Sequence, residues 1–323
     1  MTGLLFCGDG SCTLYCGTVD MGQASDTALA QIVAEVLGLE AESIRVVRAD
    51  TDVTPSDMAT LGSRSTFHMG NAVKFAAENV REQLLITASA ALMEDVEDLE
   101  LRDGAAVTRA SLRIASSTVS RLEKRISLRE IMLERFGMQA GNIIGVGSYT
   151  PPYAKPDPQT GQSANVTPFW MMGGTGAEIE VDTETGRIRV TKLVNAGDVG
   201  CAINPDVVKR QLNGAGTMQL GFTLFEQMLF DTGQVVNASL ADYKIPGFLD
   251  MPEDMEAEFI EVPHERGPFG AKGMGESGTF GVSPAIANAL YDAAGVRILD
   301  LPLTPEKVLR AIREAEKRPL GSE

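Results

Sequence analysis

Basic charge is in short supply. The 323 residues hold 28 Lys plus Arg against 44 Asp plus Glu, a formal net charge of −16. That deficit argues against a nucleic-acid partner, which would call for a basic face. Long apolar runs are missing too, and none approaches the ~18 residues of a membrane span. The opening MTGLLFCGDGS has no basic lead and no long apolar core, so no secretory signal is expected and a cytoplasmic location is. Histidine is limited to His68 and His264, without H-x3-H spacing. A zinc or copper site built from protein side chains is therefore not expected. Cysteine is limited to Cys7, Cys12, Cys16 and Cys201, which is no disulfide framework. The C-x4-C-x3-C spacing of the first three invites an iron–sulfur reading, but no fourth ligand is near. Cys12 and Cys16 also share one face of an expected strand, so they read as small buried residues.

What is present is a globular chain. Hydrophobic residues make up 44% and charged residues 22%, which excludes disorder as the main state. The length allows one large domain or two smaller ones. Ser11 to Thr18 alternates as a strand. A helix follows, capped by Ser25 or Asp26, with Leu29, Ile32, Val33, Val36 and Leu37 on one face and Gly38 as its stop. Ser43 to Val47 reads as a strand and Asn71 to Met93 as a second helix. Asp103-Gly104 marks a hairpin, and Ser127-Leu128-Arg129-Glu130 is a capping box. Gly147 to Pro168 is a proline-rich loop that suggests a boundary near 150. Beyond it come a hairpin (177–181 and 187–194), a glycine-rich turn (195–205) and a helix to Phe225. A strand at 257–262 and helices at 283–294 and 305–317 complete the chain, the last opened by Thr304 and Pro305. Strands and helices mix without strict alternation, so the fold class is α+β.

Three polar, glycine-rich segments stand at strand-to-helix junctions. Asp20 to Thr27 is either a simple capped turn or a helix N-terminus open to an anion or polar heterocycle. Thr60 to Thr66 gathers hydroxyls around Arg64 and suits a pyrophosphate, though such loops are common and the Walker pattern is missing. Gly267 to Gly278 sets Glu276 among glycines, as a solvated loop carboxylate or as a general base beside a cofactor.

Taken together, and in this order, the segments resemble the molybdenum hydroxylase family of xanthine dehydrogenase, aldehyde oxidase and carbon monoxide dehydrogenase. The resemblance runs through GTVDMGQASDTALAQIVAEVLG, DTDVTPSDMATLGSRSTFHMGNAV and VDTETGRIRVTKLVNAGDVGCAINPDVVKRQLNGA. It continues through ADYKIPGFLDMP and GAKGMGESGTFGVSPAIANALYDAAG, and is weakest over 94–170. It implies the fold of the second molybdopterin-binding half of the large subunit. Residues 1–150 would be a first molybdopterin-binding subdomain, and 151–323 a second one carrying the glutamate loop. Gly22, Gln23, Ala24 and Ser25 would lie beside the pterin and the metal's oxo ligand, with Ala24 standing where the family usually has glycine. Gly62, Ser63, Arg64, Ser65 and Thr66 would clamp the pterin dinucleotide. Asp198, Asn204 and Gln211 would border the pterin. Lys272, Gly273, Met274 and Gly275 would form the active-site loop, with Glu276 as catalytic base. Partial burial among glycines and Met274 is expected to raise the Glu276 pKa.

The resemblance also implies molybdopterin cytosine dinucleotide as cofactor, its molybdenum gripped by dithiolene sulfur rather than by protein ligands. Family molybdenum subunits are usually more than twice this length. A large molybdopterin subunit supplying the other half is therefore expected, with [2Fe–2S] and FAD on further partner subunits. In size and content the chain is similar to the medium molybdopterin subunit of the nicotinate dehydrogenase type. The implied reaction is hydroxylation of an electron-poor carbon in a nicotinate-like N-heterocycle. The alternatives are a purine, an aldehyde, or a catalytically silent assembly subunit.

Overall fold

TGLLFC and CTLYC form the first hairpin, β1 (Thr2–Cys7) and β2 (Cys12–Cys16), by alternation that sends Leu4, Phe6, Cys12, Leu14 and Cys16 inward. The sequence reading placed the first strand at 11–18. β1 precedes it, because Leu4, Leu5 and Phe6 are apolar on both faces and leave no polar period to read. The helix α1 (Ser25–Leu37) then crosses over to β3 (Ile44–Arg48), which pairs parallel to β2. A parallel neighbour needs such a crossover, whereas the β1–β2 turn does not.

The computed structural model describes residues 1–109, 124–138 and 141–317. These fall into two compact units, Met1–Trp170 with Pro263–Gly273, and Met171–Val262 with Met274–Glu323. The compact units divide at 170/171, and the segment 263–273 belongs to the first.

In the first unit, α2 (Gly70–Leu92) lies across the sheet β3-β2-β1-β7, closed by β7 (Asn142–Gly147). Its inward face is Val73, Ala76, Ala77, Val80, Leu84 and Ala88. Two glycines of β7 let the helix backbone rest on the strand. A Cβ at Gly145 would stand 2.2 Å from the Ala76 carbonyl oxygen, and one at Gly147 only 1.9 Å from that of Ala72. Phe6, Leu14, Val33 and Leu37 are fully buried here, and truncating any of them would cost about 2–5 kcal/mol. A small second sheet holds β4 (Leu99–Arg102), β5 (Ala105–Thr108) and β6 (Arg125–Ser127). The β4–β5 turn has Asp103 and Gly104 both at positive φ (48° and 67°), as its Asp-Gly pair suggests. α3 (Leu128–Phe136) starts on the expected capping box: Ser127 Oγ accepts from Glu130 N at 3.2 Å, and Glu130 Oε2 accepts from Ser127 N at 2.9 Å.

In the second unit, β8 (Gly173–Val181) and β9 (Ile188–Asp198) form the expected hairpin, longer than read. β12 (Asp254–Ile260) joins β9 in parallel, giving the order β12-β9-β8. The stretch 195–198, read as part of a glycine-rich turn, is the end of β9. The ladder to β12 continues through Gly197 to Asp198, and pairing outweighs the poor strand propensity of Asn, Gly and Asp. α4 (Pro205–Leu224), α5 (Val282–Ala294) and α6 (Pro305–Glu316) cover the sheet around Val190, Leu193, Leu220, Ile286, Leu290 and Val308. Between α4 and β12 runs a ribbon of β10 (Phe230–Asp231) and β11 (Gln234–Val235). The α+β class stands. Among the described residues, no helix is long and apolar enough to cross a membrane.

Candidate cofactor-binding site

The Asp20–Asp26 turn in the first unit is tied by its own side chains. The Gln23 amide donates from Nε2 to the Val19 carbonyl at 2.8 Å and to Ser25 Oγ at 3.2 Å. Its Oε1 accepts from Met21 N at 2.7 Å. Asp20 accepts from Gly22 N at 2.9 Å and from Asp26 N at 3.3 Å. The helix therefore does not begin on a Ser25 or Asp26 cap. Its N-cap is Ala24, left-handed at φ 58° and ψ 36°, with no side-chain cap of its own. The Asp20 carboxylate stands in for that cap from four residues upstream of Ala24, beyond the usual capping spacing, so no local pattern signals it.

The neighbouring loop is fastened to the same turn. Val19 N donates to Thr60 Oγ1 at 3.0 Å, and Thr18 Oγ1 donates to Asp57 Oδ2 at 3.1 Å. Arg64 Nη1 donates to Asp57 Oδ1 at 2.8 Å and to the Ala59 carbonyl at 2.6 Å. The two side chains are only 18% and 10% exposed, so this is a mostly buried ion pair. Part of the Arg64 guanidinium thus holds the loop in shape. Sequence reasoning passed over Asp57, whose one signal was an acid seven residues from a lone arginine in a hydroxyl-rich loop. Gly62 and Ser63 both have positive φ, 59° and 55°. Ser65 and Thr66 open the π-helical turn Ser65–Met69 that leads into α2.

The third segment closes on this loop. Gly273 sits so near Ser63 that a Cβ there would be 1.6 Å from the Ser63 carbonyl oxygen. Upstream, Asn71 Nδ2 donates to the carbonyls of Phe67 and Arg266, both at 2.8 Å, which fastens 263–273 to the start of α2. Behind the loop, Phe67 packs edge-on against His264 (5.2 Å between centroids) and Tyr149 (6.0 Å), and tilted on Phe169 (4.7 Å). His68 Nδ1 and the Tyr149 hydroxyl are buried here without a hydrogen-bond partner among the described residues. Burial, with the Arg64 charge, holds the His68 pKa below its ordinary value.

The second unit gathers the remaining motif residues. Asp198 Oδ1 accepts from Gly200 N at 2.9 Å and from Val262 N at 3.3 Å, which locks the turn after β9 to the end of β12. Asn204 caps α4, its Oδ1 accepting from Val207 N at 3.1 Å. Gln211 lies about two turns further along α4, beside buried Leu212. Met274 packs on Val199, Val208, Leu212 and Ala257. The carboxylate-bearing turn follows at once, with Thr279 donating to the Glu276 carbonyl from N at 3.1 Å and from Oγ1 at 2.8 Å. Ser277 and Gly278 turn inward. A Cβ on Gly278 would meet the Leu212 carbonyl at 2.5 Å. Glu276 correspondingly points outward and is exposed, which corrects the expected partial burial. Gly278, two residues further on, presses on α4.

The segments read separately in the sequence therefore form one cluster in each unit. Gly22 to Ser25, Gly62 to Thr66 and Lys272-Gly273 lie in the first; Asp198, Asn204, Gln211, Met274, Gly275 and Glu276 lie in the second. The first cluster fits a polar, phosphorylated group. A Cβ on Gly22 or Gly62 would meet nothing within 4 Å, so the backbone is open to close approach, with the hydroxyls of Ser63, Ser65 and Thr66 alongside. Among the described residues, no group of three or more His, Cys, Asp or Glu is placed to hold a metal. A donor set of backbone, amide and hydroxyl groups suits an organic cofactor that brings its own metal ligands.

Residues 4–252 match the family model described as molybdopterin cofactor-binding domain. The chain belongs to this family. It is 31% identical over 308 residues to the probable hypoxanthine oxidase of Escherichia coli K12, covering 95% of this chain and 30% of that protein. It is 32% identical to the nicotine 6-hydroxylase large subunit of Paenarthrobacter nicotinovorans, over 94% of this chain and 36% of that one. Among solved structures, quinoline 2-oxidoreductase of Pseudomonas putida 86 superposes with a TM-score of 0.79 at 27% identity, over 98% of this chain and 38% of that one. Cu,Mo-CO dehydrogenase shares the fold, with a TM-score of 0.81 at 24% identity and the same coverage. The chain thus spans about a third of the length of these relatives and carries a molybdopterin cofactor-binding domain. Glu276 lies beyond the stretch matched by the family model, though the relatives align over nearly the whole chain.

Proposed function

We propose that this chain is the molybdopterin-binding portion of a multi-subunit hydroxylase acting on an electron-poor carbon of an N-heterocycle of nicotinate type, with Glu276 as general base. The observation that carries the reading is the gathering of the motif segments into two clusters, with Gly273 and Met274, one in each unit, joined by a peptide bond directly ahead of Glu276. Relatives named for nicotine and quinoline support the heterocycle class, and a hypoxanthine oxidase keeps purines within it.

Molybdopterin cytosine dinucleotide, when bound, would supply the metal that accepts two electrons from the substrate carbon. The residues of this chain bind and orient it. The Gly62–Thr66 loop and Lys272 would hold its phosphorylated part, and the Gly22–Ser25 turn would hold its pterin end. Asp198, Asn204 and Gln211 would border its pterin. The net change is RH + H2O → ROH + 2H+ + 2e−. Glu276 takes one proton at a carboxylate oxygen, from the water-derived oxygen that becomes the product hydroxyl. The electrons leave to [2Fe–2S] and FAD groups on partner subunits, and a large molybdopterin subunit supplies the rest of the fold.

Glu276→Gln in the complete complex tests the role. Nicotinate hydroxylation should fall by about 10²–10⁴, the usual worth of a positioned base, with molybdenum and pterin content unchanged. Turnover near that of the parent would make the chain an assembly subunit. Acid release of a nucleotide other than cytidine monophosphate would reject the dinucleotide assignment.

A further inference from the structure

Between α4 and β12 the second unit carries an arm, residues 226–252, whose apolar side chains point outward. Phe230 is 63% exposed, Leu240 70%, Phe248 92% and Leu249 93%, with Val236 and Ile245 exposed between them. Such a concentration in one short stretch differs from the scattered apolar residues of an ordinary surface. The arm is nonetheless built. Asn237 is buried, its Oδ1 accepting from Leu229 N and its Nδ2 donating to the Gln227 carbonyl, at 2.8 and 2.7 Å. Pro246 rests on α4 at Gly221, where a Cβ would come within 2.7 Å of the proline ring. Asp250 closes the last turn by accepting from Gly247 N at 2.9 Å. Order without burial means that the scaffold holds these side chains in place for another surface.

We infer that this arm docks the polypeptide that completes the large-subunit fold, seating Phe248 and Leu249 in an apolar pocket with a basic rim. Two observations select that occupant. The first is length: the relatives carry this fold in chains about three times longer, so most of the neighbouring surface belongs to polypeptide outside these residues. The second is charge: residues 226–252 hold Glu226, Asp231, Asp242 and Asp250 against Lys244, while Glu253 at the border is paired with Arg189. A second copy docking through the same patch would bring these acids together across a twofold axis, within a chain already at −16. The inference rests on the partner proposed above and names where it binds.

The test uses the complex purified from the source organism through a tag on this chain. A photo-crosslinking phenylalanine analogue at position 248 should label the polypeptide that matches the part of the CO dehydrogenase chain lying outside this fold. The same analogue at position 299, where Leu299 is equally exposed at 91%, should not. Phe248→Ser with Leu249→Ser should cut partner recovery by about tenfold or more at an unchanged melting temperature, and Leu299→Ser should leave it unchanged. Equal labelling from 248 and 299, partner recovery within about twofold of the parent, or a homodimer crosslinked through 248 would each overturn the inference. Partner retained with its pterin in the double variant rejects the arm and leaves the functional reading intact. Arm-dependent partner binding in a complex without molybdenum does the reverse.

Discussion

Replacing Gly273 by alanine is the sharpest perturbation this structure offers. The added Cβ would stand 1.6 Å from the Ser63 carbonyl oxygen, where ordinary contact begins at 3.4 Å, so the two must part by about 1.8 Å. The obstacle is backbone, not the end of a flexible side chain. Ser63 is already left-handed, and its carbonyl leads directly to Arg64, whose Nη1 is committed to Asp57 and Ala59. Overpacking of this kind costs about 1–3 kcal/mol, and a backbone obstacle places it at the upper end. For a unit of this size, about 3 kcal/mol lowers Tm by roughly 6–12 °C. Circular-dichroism melting of the full chain measures it, with pterin content of the complex as the second readout, since the displaced loop is the proposed phosphate clamp. Gly174→Ala is the control, because its Cβ meets nothing within 4 Å on strand β8. A Gly273→Ala protein melting within about 1 °C of the parent would show that 263–273 does not rest on the 57–66 loop, and the assembly of the first cluster would fail.

Ala24→Gly should stabilise the chain by up to about 1 kcal/mol, because relief of the left-handed alanine exceeds the entropy glycine adds to the unfolded state; urea titration would refute this by showing a loss. Burial pushes the Cys12 thiol up to about 12 and Cys16 to about 11. Their folded values lie above the unfolded value near 9, so this contribution is complete below pH 9 and is lost as pH rises through 11 and 12. Stability of Cys12→Ala,Cys16→Ala should therefore fall less steeply between pH 9 and 11 than that of the parent, and equal slopes would refute it. At pH 8 a thiol reagent should modify half-buried Cys7 and Cys201 well before Cys12 and Cys16.

Elements with a local physical cause were legible in the sequence. The capping box at Ser127 and Glu130, the Asp103-Gly104 turn, the Thr304 cap and the Gly38 stop each depend on residues within a few positions of one another. The glycine-opened loops were legible in the same way, as turns ahead of helices. Partners distant in the chain were not. Ser63 as the surface that forbids a side chain at Gly273 exists only once the loops meet, while Asp57 as counter-ion of Arg64 and Asp20 as the carboxylate over α1 lie near in sequence but follow no standard capping or pairing spacing. β1 was missed because a strand apolar on both faces carries no period. The outward turn of Glu276 escaped notice because Ser277 and Gly278 are drawn in by α4, more than sixty residues earlier in the chain. The sequence by itself determined most element types and the α+β class, since each depends on short-range backbone preference. Only the tertiary structure decided which loops share a cluster, because close packing between distant segments is set by volume and carbonyl geometry that no local pattern encodes.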